Sequence, residues 1–366
     1  MTSNRRRATQ AHPQRFRLRL RCHRRGAATA VALIAALVAA SCSGGHQPST
    51  RTQAVTPPPP APRKGPPPVL AVHFDKGKYP LLGSREADLS KVAEAFNAVL
   101  ISYGDQQLVN EARARGLKVY LGFDEHQEFA AGKDISADVQ DLVRFASANR
   151  DQIAGIRVAD QANKGLTPEQ TLAYLKATGG VLHQQLPGVP VLVDVSDWEL
   201  TCDLPGQDPC DKPRQPDYRY QTNDNLLRFY HSGYVDGFML ANGLARDDTD
   251  CGGCTAQPSD ATAQTIAWRK ARALFPRPFL LFARIAPLSF PQVRYPADAA
   301  QAALAVSIYE TIPLQQGADG VDLWAWSRHF DGTVRTFLNK DGSSNPLWQQ
   351  LVTLAKAMRA QARPSS

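Results

Sequence analysis

The sequence predicts an α/β fold in which eight strand–helix units close into a (β/α)8 barrel. Eight short apolar segments recur along the chain, and a stretch compatible with a helix follows each of them. No Gly-rich phosphate-binding turn follows the first segment, which argues against a doubly wound open sheet. The predicted strands are Val69–Phe74, Ala98–Tyr103, Lys118–Phe123, Ile153–Ala159, Val189–Val195, Val235–Ala241, Pro278–Arg284 and Val321–Trp326.

The last predicted strand has two chemically different faces. Val321 and Leu323 alternate with Asp322, Trp324 and Trp326, which is the two-residue period of a strand. An acid and two indole rings on one face are unusual for a strand that only fills a core. We therefore expect this face to point toward a pocket at the carboxyl end of the barrel, where the loops after the strands form the site.

Helices are predicted between the strands and after the last one. Thr167, Pro168 and Glu169 form a typical helix start, with a capping hydroxyl, a first-turn proline and an acid. Glycines such as Gly116 and Gly317 follow predicted helix ends. The predicted helices are Glu86–Phe96, Gln106–Arg115, Ala137–Asn149, Pro168–Gln185, Asn223–His231, Asp260–Leu274, Ala297–Gln315 and Pro346–Ala360.

Residues 1–41 are predicted to be an export signal. They contain nine arginines and no acid, followed by an apolar run over residues 27–40 that is too short for a comfortable membrane span. Small residues then precede Cys42, and Ser43, Gly44 and Gly45 follow it. This pattern resembles the lipobox of bacterial lipoproteins, which implies that Cys42 is acylated with palmitate. An ordinary secretory signal with a chance cysteine is the alternative.

Residues 42–68 are predicted to be a disordered, Pro-rich linker, and residues 69–362 to form the barrel domain. The prolines at 57–60, 62 and 66–68 favour an extended polyproline spacer between a membrane anchor and the barrel. The full chain carries a net charge of +8, and removing the nine leader arginines leaves about −1. The basic character therefore belongs to targeting, and we expect no nucleic-acid partner.

Four cysteines lie in the two longest predicted loops, which follow the fifth and sixth strands. An even set of cysteines in an exported protein favours disulfides. Local pairing of Cys202 with Cys210 and of Cys251 with Cys254 is the first expectation, and pairing between the loops is the alternative. Half of a zinc site or a redox pair at Cys251 and Cys254 is a weaker interpretation, and no metal or cofactor is expected.

Strand alternation predicts which side chains face the barrel axis. They are His73, Asp75, Ser102, Asp124, Arg157, Gln161, Asp194, Ser196, Arg284, Asp322, Trp324 and Trp326. Because charges inside a barrel must be paired, a purely structural interpretation joins Arg157 to Asp194 and Arg284 to Asp322. A one-residue error in the strand register would turn these side chains outward.

The predicted barrel, the tryptophan-bearing last strand and the export leader resemble the TIM-barrel glycoside hydrolase superfamily. That resemblance implies two carboxyl groups flanking the glycosidic bond, often a glutamate after the fourth strand and another closing the seventh. Gln161 stands where the first glutamate would be, and the seventh strand ends without a carboxylate, at Arg284. The common mechanism of the superfamily is therefore not carried over to this chain.

Other acids would have to perform any hydrolysis. We expect Asp160 as the acid, opposed by Asp124 or Asp194, with Trp324 and Trp326 stacking on a sugar ring. The expected carbohydrate-binding residues are Asp75, Tyr103, Glu125, Gln161, Trp198, Glu199, Arg284, Trp324 and Trp326. A loop cap or an ion pair is the structural alternative for each carboxylate.

Two functions follow from these observations. The first is an exported, lipid-anchored glycoside hydrolase that faces outside the cytoplasm and acts on an envelope or external glycan. The second is a catalytically inactive barrel that binds glycan or serves as an envelope scaffold. The acids and tryptophans at the predicted pocket favour the hydrolase, which is the function we expect first. The absence of the two glutamates favours the inactive barrel. Acids that are all tied to arginines or to backbone groups would decide for the binding protein.

Overall fold

The computed structural model describes most of the predicted barrel domain. The described residues are 68–74, 80–205, 207, 209–211, 216, 219–241, 258–285, 299–323, 326, 337–339 and 341–361. The predicted signal peptide, the acylation site and residues 42–67 of the linker lie outside them. So do four predicted site or disulfide residues, which are Asp75, Trp324, Cys251 and Cys254.

Eight parallel strands close into a barrel in simple sequence order, and the first strand pairs with the last. The prediction of a (β/α)8 TIM barrel is thereby confirmed. Each predicted strand is present, with ends that differ by up to three residues from the predicted ones. The strands are β1 (Val69–His73), β2 (Ala98–Ser102), β3 (Lys118–Gly122), β4 (Ile153–Arg157), β5 (Val191–Val195), β6 (Gly237–Leu240), β7 (Leu280–Ile285) and β8 (Gly320–Leu323).

Helices surround the barrel, and the predicted ones are present. They are α1 (Arg85–Ala95), α2 (Gln106–Ala114), α3 (His126–Ala130), α4 (Ser136–Ala148), α5 (Pro168–Gln185), α6 (Asn223–His231), α7 (Pro258–Leu274), α8 (Ala299–Val306), α9 (Ile312–Gln315) and α10 (Pro346–Gln361). The short α3 was not expected, and a π-helical turn, Ser307–Thr311, interrupts the predicted helix of residues 297–315. Among the described helices, none has both the length and the apolar character needed to span a membrane.

Local sequence explains where the longest helix begins. The Thr167 hydroxyl accepts a hydrogen bond from the backbone N–H of Gln170, and the Gln170 side chain accepts one from the backbone N–H of Thr167. Pro168 follows at the first helical position, where its missing N–H costs nothing. This reciprocal cap fixes the start of α5, and therefore the length of the loop that leaves β4.

Apolar side chains fill the lower part of the barrel. A buried inner cluster contains Ala71, Ala98, Leu100, Tyr120, Leu192, Met239 and Phe282. A larger cluster packs between the strands and the helices. Because side chains alternate along a strand, the residues two positions after the inner cluster members also face the axis, one layer nearer the carboxyl ends. That layer contains His73, Asp194 and Arg284. Arg157 and Asp322 belong to it as well, because they lie two positions after Gly155 and Gly320, whose Cα atoms adjoin the rings of Tyr120 and Phe282 in the inner cluster. The layer forms the floor of the candidate site.

Candidate functional site

Two arginines and a buried aspartate lie at the centre of the upper layer. Arg157 projects from β4, Asp194 from β5 and Arg284 from β7, and their side chains are at most 7% exposed. Nη1 of Arg157 lies 3.8 Å from Oδ2 of Asp194, and Arg284 forms a closer ion pair with the same carboxylate. The predicted pair of Arg157 with Asp194 is therefore present, but Asp194 is shared with a second arginine.

Asp160 follows β4 and meets the same two arginines. Its carboxylate accepts a hydrogen bond from Arg284, and its Oδ1 lies 3.6 Å from Nη1 of Arg157. Burial raises the pKa of Asp160, but the charges of Arg284 and Arg157 outweigh burial and hold the pKa well below its usual range. Asp160 is therefore ionised at neutral pH in this arrangement, which opposes the role of proton donor predicted for it.

His73 and Asp322 form a second buried pair, on the neighbouring strands β1 and β8. Nε2 of His73 lies 2.8 Å from Oδ2 of Asp322, and both side chains are at most 1% exposed. Burial lowers the pKa of His73 more than Asp322 raises it, so the ring is neutral and donates its Nε2–H to an ionised carboxylate. The predicted pairing of Arg284 with Asp322 is wrong, because Arg284 crosses the barrel to Asp160 and Asp194 instead.

Asp124 lies just after the carboxyl end of β3. Its side chain is 35% exposed, as is that of Asp160, whereas Asp194 and Asp322 are fully buried. Oδ1 of Asp124 lies 2.7 Å from Nδ1 of His126 and accepts a hydrogen bond from the backbone N–H of Asp160. Burial raises the pKa of Asp124, but the hydrogen bond from His126 and the charge of Arg157 outweigh it, and the pKa is lowered. Asp124 is thus another ionised carboxylate with fixed donors.

The remaining predicted binding residues lie around this centre with partners of their own. Glu125 forms an ion pair with Lys133 at 2.7 Å, and Glu199 accepts the backbone N–H of Asn223 at the start of α6. Tyr103 is half-buried against Phe123. Trp198 and Gln161 are partly exposed, and Gln161 has a positive φ of 50° in the loop after β4.

Trp326 does not face the site. It is 0% exposed, stacks against Phe337, contacts Trp348 edge-on and donates its indole N–H to Asp88 of α1. The expectation that Trp326 binds a sugar ring is therefore wrong. The prediction failed because β8 ends at Leu323, so the two-residue alternation of side chains no longer applies at Trp326.

Asn163 holds the loops after β4 and β5 together, which sequence reasoning did not identify. Its side-chain amide donates to the carbonyl oxygen of Ser196, and its side-chain oxygen accepts the backbone N–H of the same residue at 3.0 Å. Asn163 is 0% exposed. An amide three residues after Asp160 was the available signal, but the sequence does not reveal which loop it reaches.

The cysteine prediction is confirmed where it falls within the described residues. Cys202 and Cys210 form a disulfide in the loop after β5. Among the described side chains, the one group of closely spaced metal-type donors consists of Cys202, Asp203 and Cys210. The disulfide uses both of its sulfur atoms, so this group has no thiolate to offer a metal ion.

No family model matches the chain, and a search of curated proteins also gives no match. Solved structures do match. An exo-beta-1,4-mannosidase from Opitutaceae bacterium strain TAV5 has a TM-score of 0.57 at 12% identity, covering 82% of this chain and 61% of that one. A GH5_18 protein from Streptomyces cattleya, in complex with Manb1-4GlcNAc, has a TM-score of 0.54 at 15% identity and covers 82% of each chain.

A family 39 glycoside hydrolase from Bacteroides cellulosilyticus WH2 has a TM-score of 0.51 at 12% identity, covering 79% of this chain and 64% of that one. This chain therefore spans less than two thirds of the mannosidase and of the family 39 protein. At these identities the likeness establishes the fold alone. The chain has the TIM-barrel fold that its glycoside hydrolase neighbours have.

Proposed function

We propose that this protein is an exported, lipid-anchored barrel that binds glycan at its carboxyl face without hydrolysing it. The observation that carries the proposal is that the carboxylates at the carboxyl end of the barrel, here called the mouth, all have partners. Asp160 and Asp194 are neutralised by Arg157 and Arg284, Asp322 accepts from His73, and Asp124 accepts from His126. Among the described residues, each acid near the axis thus has a cationic or hydrogen-bonding partner.

Glycoside hydrolysis needs a carboxylic acid that keeps its proton near neutral pH. The lowered pKa values of Asp160, Asp124 and Asp322 oppose that role. Gln161, which replaces the expected glutamate, cannot supply the proton. Ionised carboxylates and the partly exposed Trp198 and Tyr103 remain suited to holding hydroxyl groups and a sugar ring.

Glycan as the ligand class is supported by the fold and by what its neighbours bind. The names of the matching structures include a mannosidase and a complex with Manb1-4GlcNAc. The sugars in these names are the first compounds to test. Beta-1,4-linked manno-oligosaccharides and Manb1-4GlcNAc should be compared with oligosaccharides of other linkages.

The experiment measures binding and product formation in the same samples. The full chain is titrated with each oligosaccharide by calorimetry, and the recovered sugar is then analysed by chromatography after long incubation. We expect at least one oligosaccharide to bind and to be recovered intact. Shortened products that disappear in an Asp160→Asn variant, but not in an exposed Glu128→Gln control, would instead establish a hydrolase.

Membrane anchoring is tested separately at Cys42. The arginine-rich leader, the short apolar run and the small residues before Cys42 support acylation of this cysteine. In a bacterial host, we expect labelled palmitate to enter the wild-type chain and the protein to fractionate with membranes. A Cys42→Ala variant should lose the label. Retention of the label by Cys42→Ala, or a wild-type chain cleaved elsewhere and released, would contradict anchoring.

A further inference from the structure

Asp124 differs from the other acids of the mouth in the combination of groups that hold its carboxylate and in its exposure. Oδ1 accepts from Nδ1 of His126 at 2.7 Å and from the backbone N–H of Asp160 at 3.1 Å. Oδ2 receives no hydrogen bond from the described residues. Since the side chain is 35% exposed, Asp124 combines a fixed orientation with an open acceptor at the mouth. Asp160 is equally exposed and is also contacted through Oδ1, but its partners are the charged side chains of Arg157 and Arg284.

His126 is itself held in one orientation by its neighbours. Its ring is 6% exposed and packs edge-on against Tyr174. The side-chain nitrogen of Gln127 lies 3.1 Å from Nε2 of His126 and 3.5 Å from the carbonyl oxygen of Lys164. Because the carbonyl can only accept, this Gln127 atom is the donating amide nitrogen, and Nε2 of His126 must be the acceptor. These contacts therefore select the tautomer that carries its proton on Nδ1, facing Asp124.

We propose that Asp124 contacts the ligand through Oδ2, and that His126, oriented by Gln127, is a positioning residue that fixes Oδ1. This inference rests on the proposed glycan binding and adds the chemistry of the ligand. An ionised carboxylate oxygen accepts hydrogen bonds and donates none. The group that occupies this position must therefore be a donor, such as a sugar hydroxyl or amine. A uronic acid carboxylate or a sulfate would be repelled here.

The charged and titratable groups around Asp124 set its behaviour with pH. His126 and Arg157 favour the ionised form, Asp160 opposes it, and Tyr174 lies close by on α5. Loss of the hydrogen bond from His126 should raise the pKa of Asp124 toward the ordinary carboxyl value. Protonation of Asp124 replaces an acceptor by a donor, so ligand affinity should fall as the pH decreases through this pKa.

One test needs no ligand. Nitrogen-15 NMR of labelled histidine should show His126 as the Nδ1–H tautomer, identified by its loss in His126→Phe. Carbon-13 NMR of labelled aspartate should show a lowered pKa for Asp124, identified by its loss in Asp124→Asn, and a higher pKa in His126→Phe. An Nε2–H tautomer, or an Asp124 pKa that does not respond to His126→Phe, would overturn the positioning role.

A second test uses the neutral oligosaccharide that binds most tightly and its uronic acid counterpart. Asp124→Asn should weaken binding of the neutral sugar by about tenfold or more, as expected for loss of a charge-assisted hydrogen bond. His126→Phe should weaken it less at pH 7 and move the acidic loss of affinity to higher pH. His126→Asn, which can return an N–H near Nδ1, should restore much of the wild-type profile, and Glu128→Gln should match the wild type.

The outcomes separate this inference from the function on which it rests. Unchanged affinity in Asp124→Asn, or preferred binding of the uronic acid, would overturn the ligand contact while leaving glycan binding intact. Absence of binding to every oligosaccharide would remove the ligand contact together with the proposed function. In that case the NMR measurements still decide whether His126 positions Asp124.

Discussion

Arg284 shows at the scale of one residue how long side chains determine the charge balance inside the barrel. It begins on β7 and reaches Asp160 after β4 and Asp194 on β5, rather than Asp322 on the adjacent β8. Asp194 is 0% exposed, so its charge would be costly without a cation. The contact with Arg284 therefore offsets part of the cost of burying the Asp194 carboxylate.

An Arg284→Met variant should lose stability by roughly 3–5 kcal/mol, because it leaves a buried charge with only Arg157 nearby. Arg144→Met is the matched control, since Arg144 pairs with Asp141 on the surface, and it should cost less than about 1 kcal/mol. Urea denaturation at pH 7 measures both. Equal, small losses would mean that Asp194 does not need Arg284.

Asp160 makes the stability of the folded protein depend on pH. Its pKa is lowered in the folded state, so its ion pairs contribute stability above the ordinary carboxyl pKa of about 3.9. That contribution is lost as the pH falls through the folded-state pKa. The contribution is reduced by solvent because the side chain is 35% exposed. In Arg284→Met this part of the acid sensitivity should be weaker than in the wild type.

At the scale of elements, helix α5 packs closely enough to distinguish two adjacent glycines. A Cβ added at Gly179 would collide with the backbone carbonyl oxygen of Tyr234. A Cβ added at Gly180 would meet only the Tyr234 ring, at 3.7 Å, which is an ordinary van der Waals contact. The two glycines are adjacent in the sequence, but only Gly180 has room for a methyl group.

Gly179→Ala should therefore destabilise the protein by about 1–3 kcal/mol, because backbone cannot move aside easily. Gly180→Ala should stabilise it by roughly 0.5–1 kcal/mol, because alanine favours a helix more than glycine does. Thermal unfolding of the two variants checks the pair. Shifts of the melting temperature in the same direction would show that α5 does not pack against Tyr234 in this way.

The π-helical turn between α8 and α9 contains a buried acid. Glu310 is 0% exposed, and its carboxyl oxygens have no hydrogen-bond partner among the described residues. Burial raises the pKa of Glu310 to about 8. The stability that the protonated form provides is fully present below the ordinary pKa near 4.5 and is lost as the pH rises through about 8.

Glu310→Gln removes this titration. We expect the variant to be more stable than the wild type at pH 9, by a few kcal/mol, and to be close to it at pH 5. Melting temperatures across this range provide the measurement, with the exposed Glu128→Gln as the control. Parallel pH profiles for wild type and Glu310→Gln would show that folding does not raise the pKa of Glu310 above its value in the unfolded chain.

Sequence patterns predicted the elements well, because each strand and helix is determined by neighbours along the chain. Strand alternation also placed His73, Arg157 and Arg284 in the barrel interior. It failed for Trp326, whose position depends on where β8 ends. It failed for the partner of Arg284, because contacts across the barrel depend on side-chain reach. The π-helical turn was missed because the sequence of Ser307–Thr311 also fits an uninterrupted helix.

At the scale of the whole molecule, the barrel gathers the polar residues of five strands at one end. Three sets of contacts hold the acids at this end of the barrel: Arg284 contacts Asp160 and Asp194, His73 contacts Asp322, and His126 contacts Asp124. The lowered pKa values of Asp124, Asp160 and Asp322 oppose a role of these acids as proton donors. This arrangement supports the proposed function, which is recognition of a glycan rather than cleavage of one.

The most direct test is to follow one bound oligosaccharide over time with the full chain. Its dissociation constant is measured, and the reducing ends in the same solution are then counted over several days at pH 5 and pH 7. The account predicts saturable binding, with reducing ends that stay at the level of a protein-free sample. Reducing ends that increase in proportion to protein concentration and incubation time would contradict it.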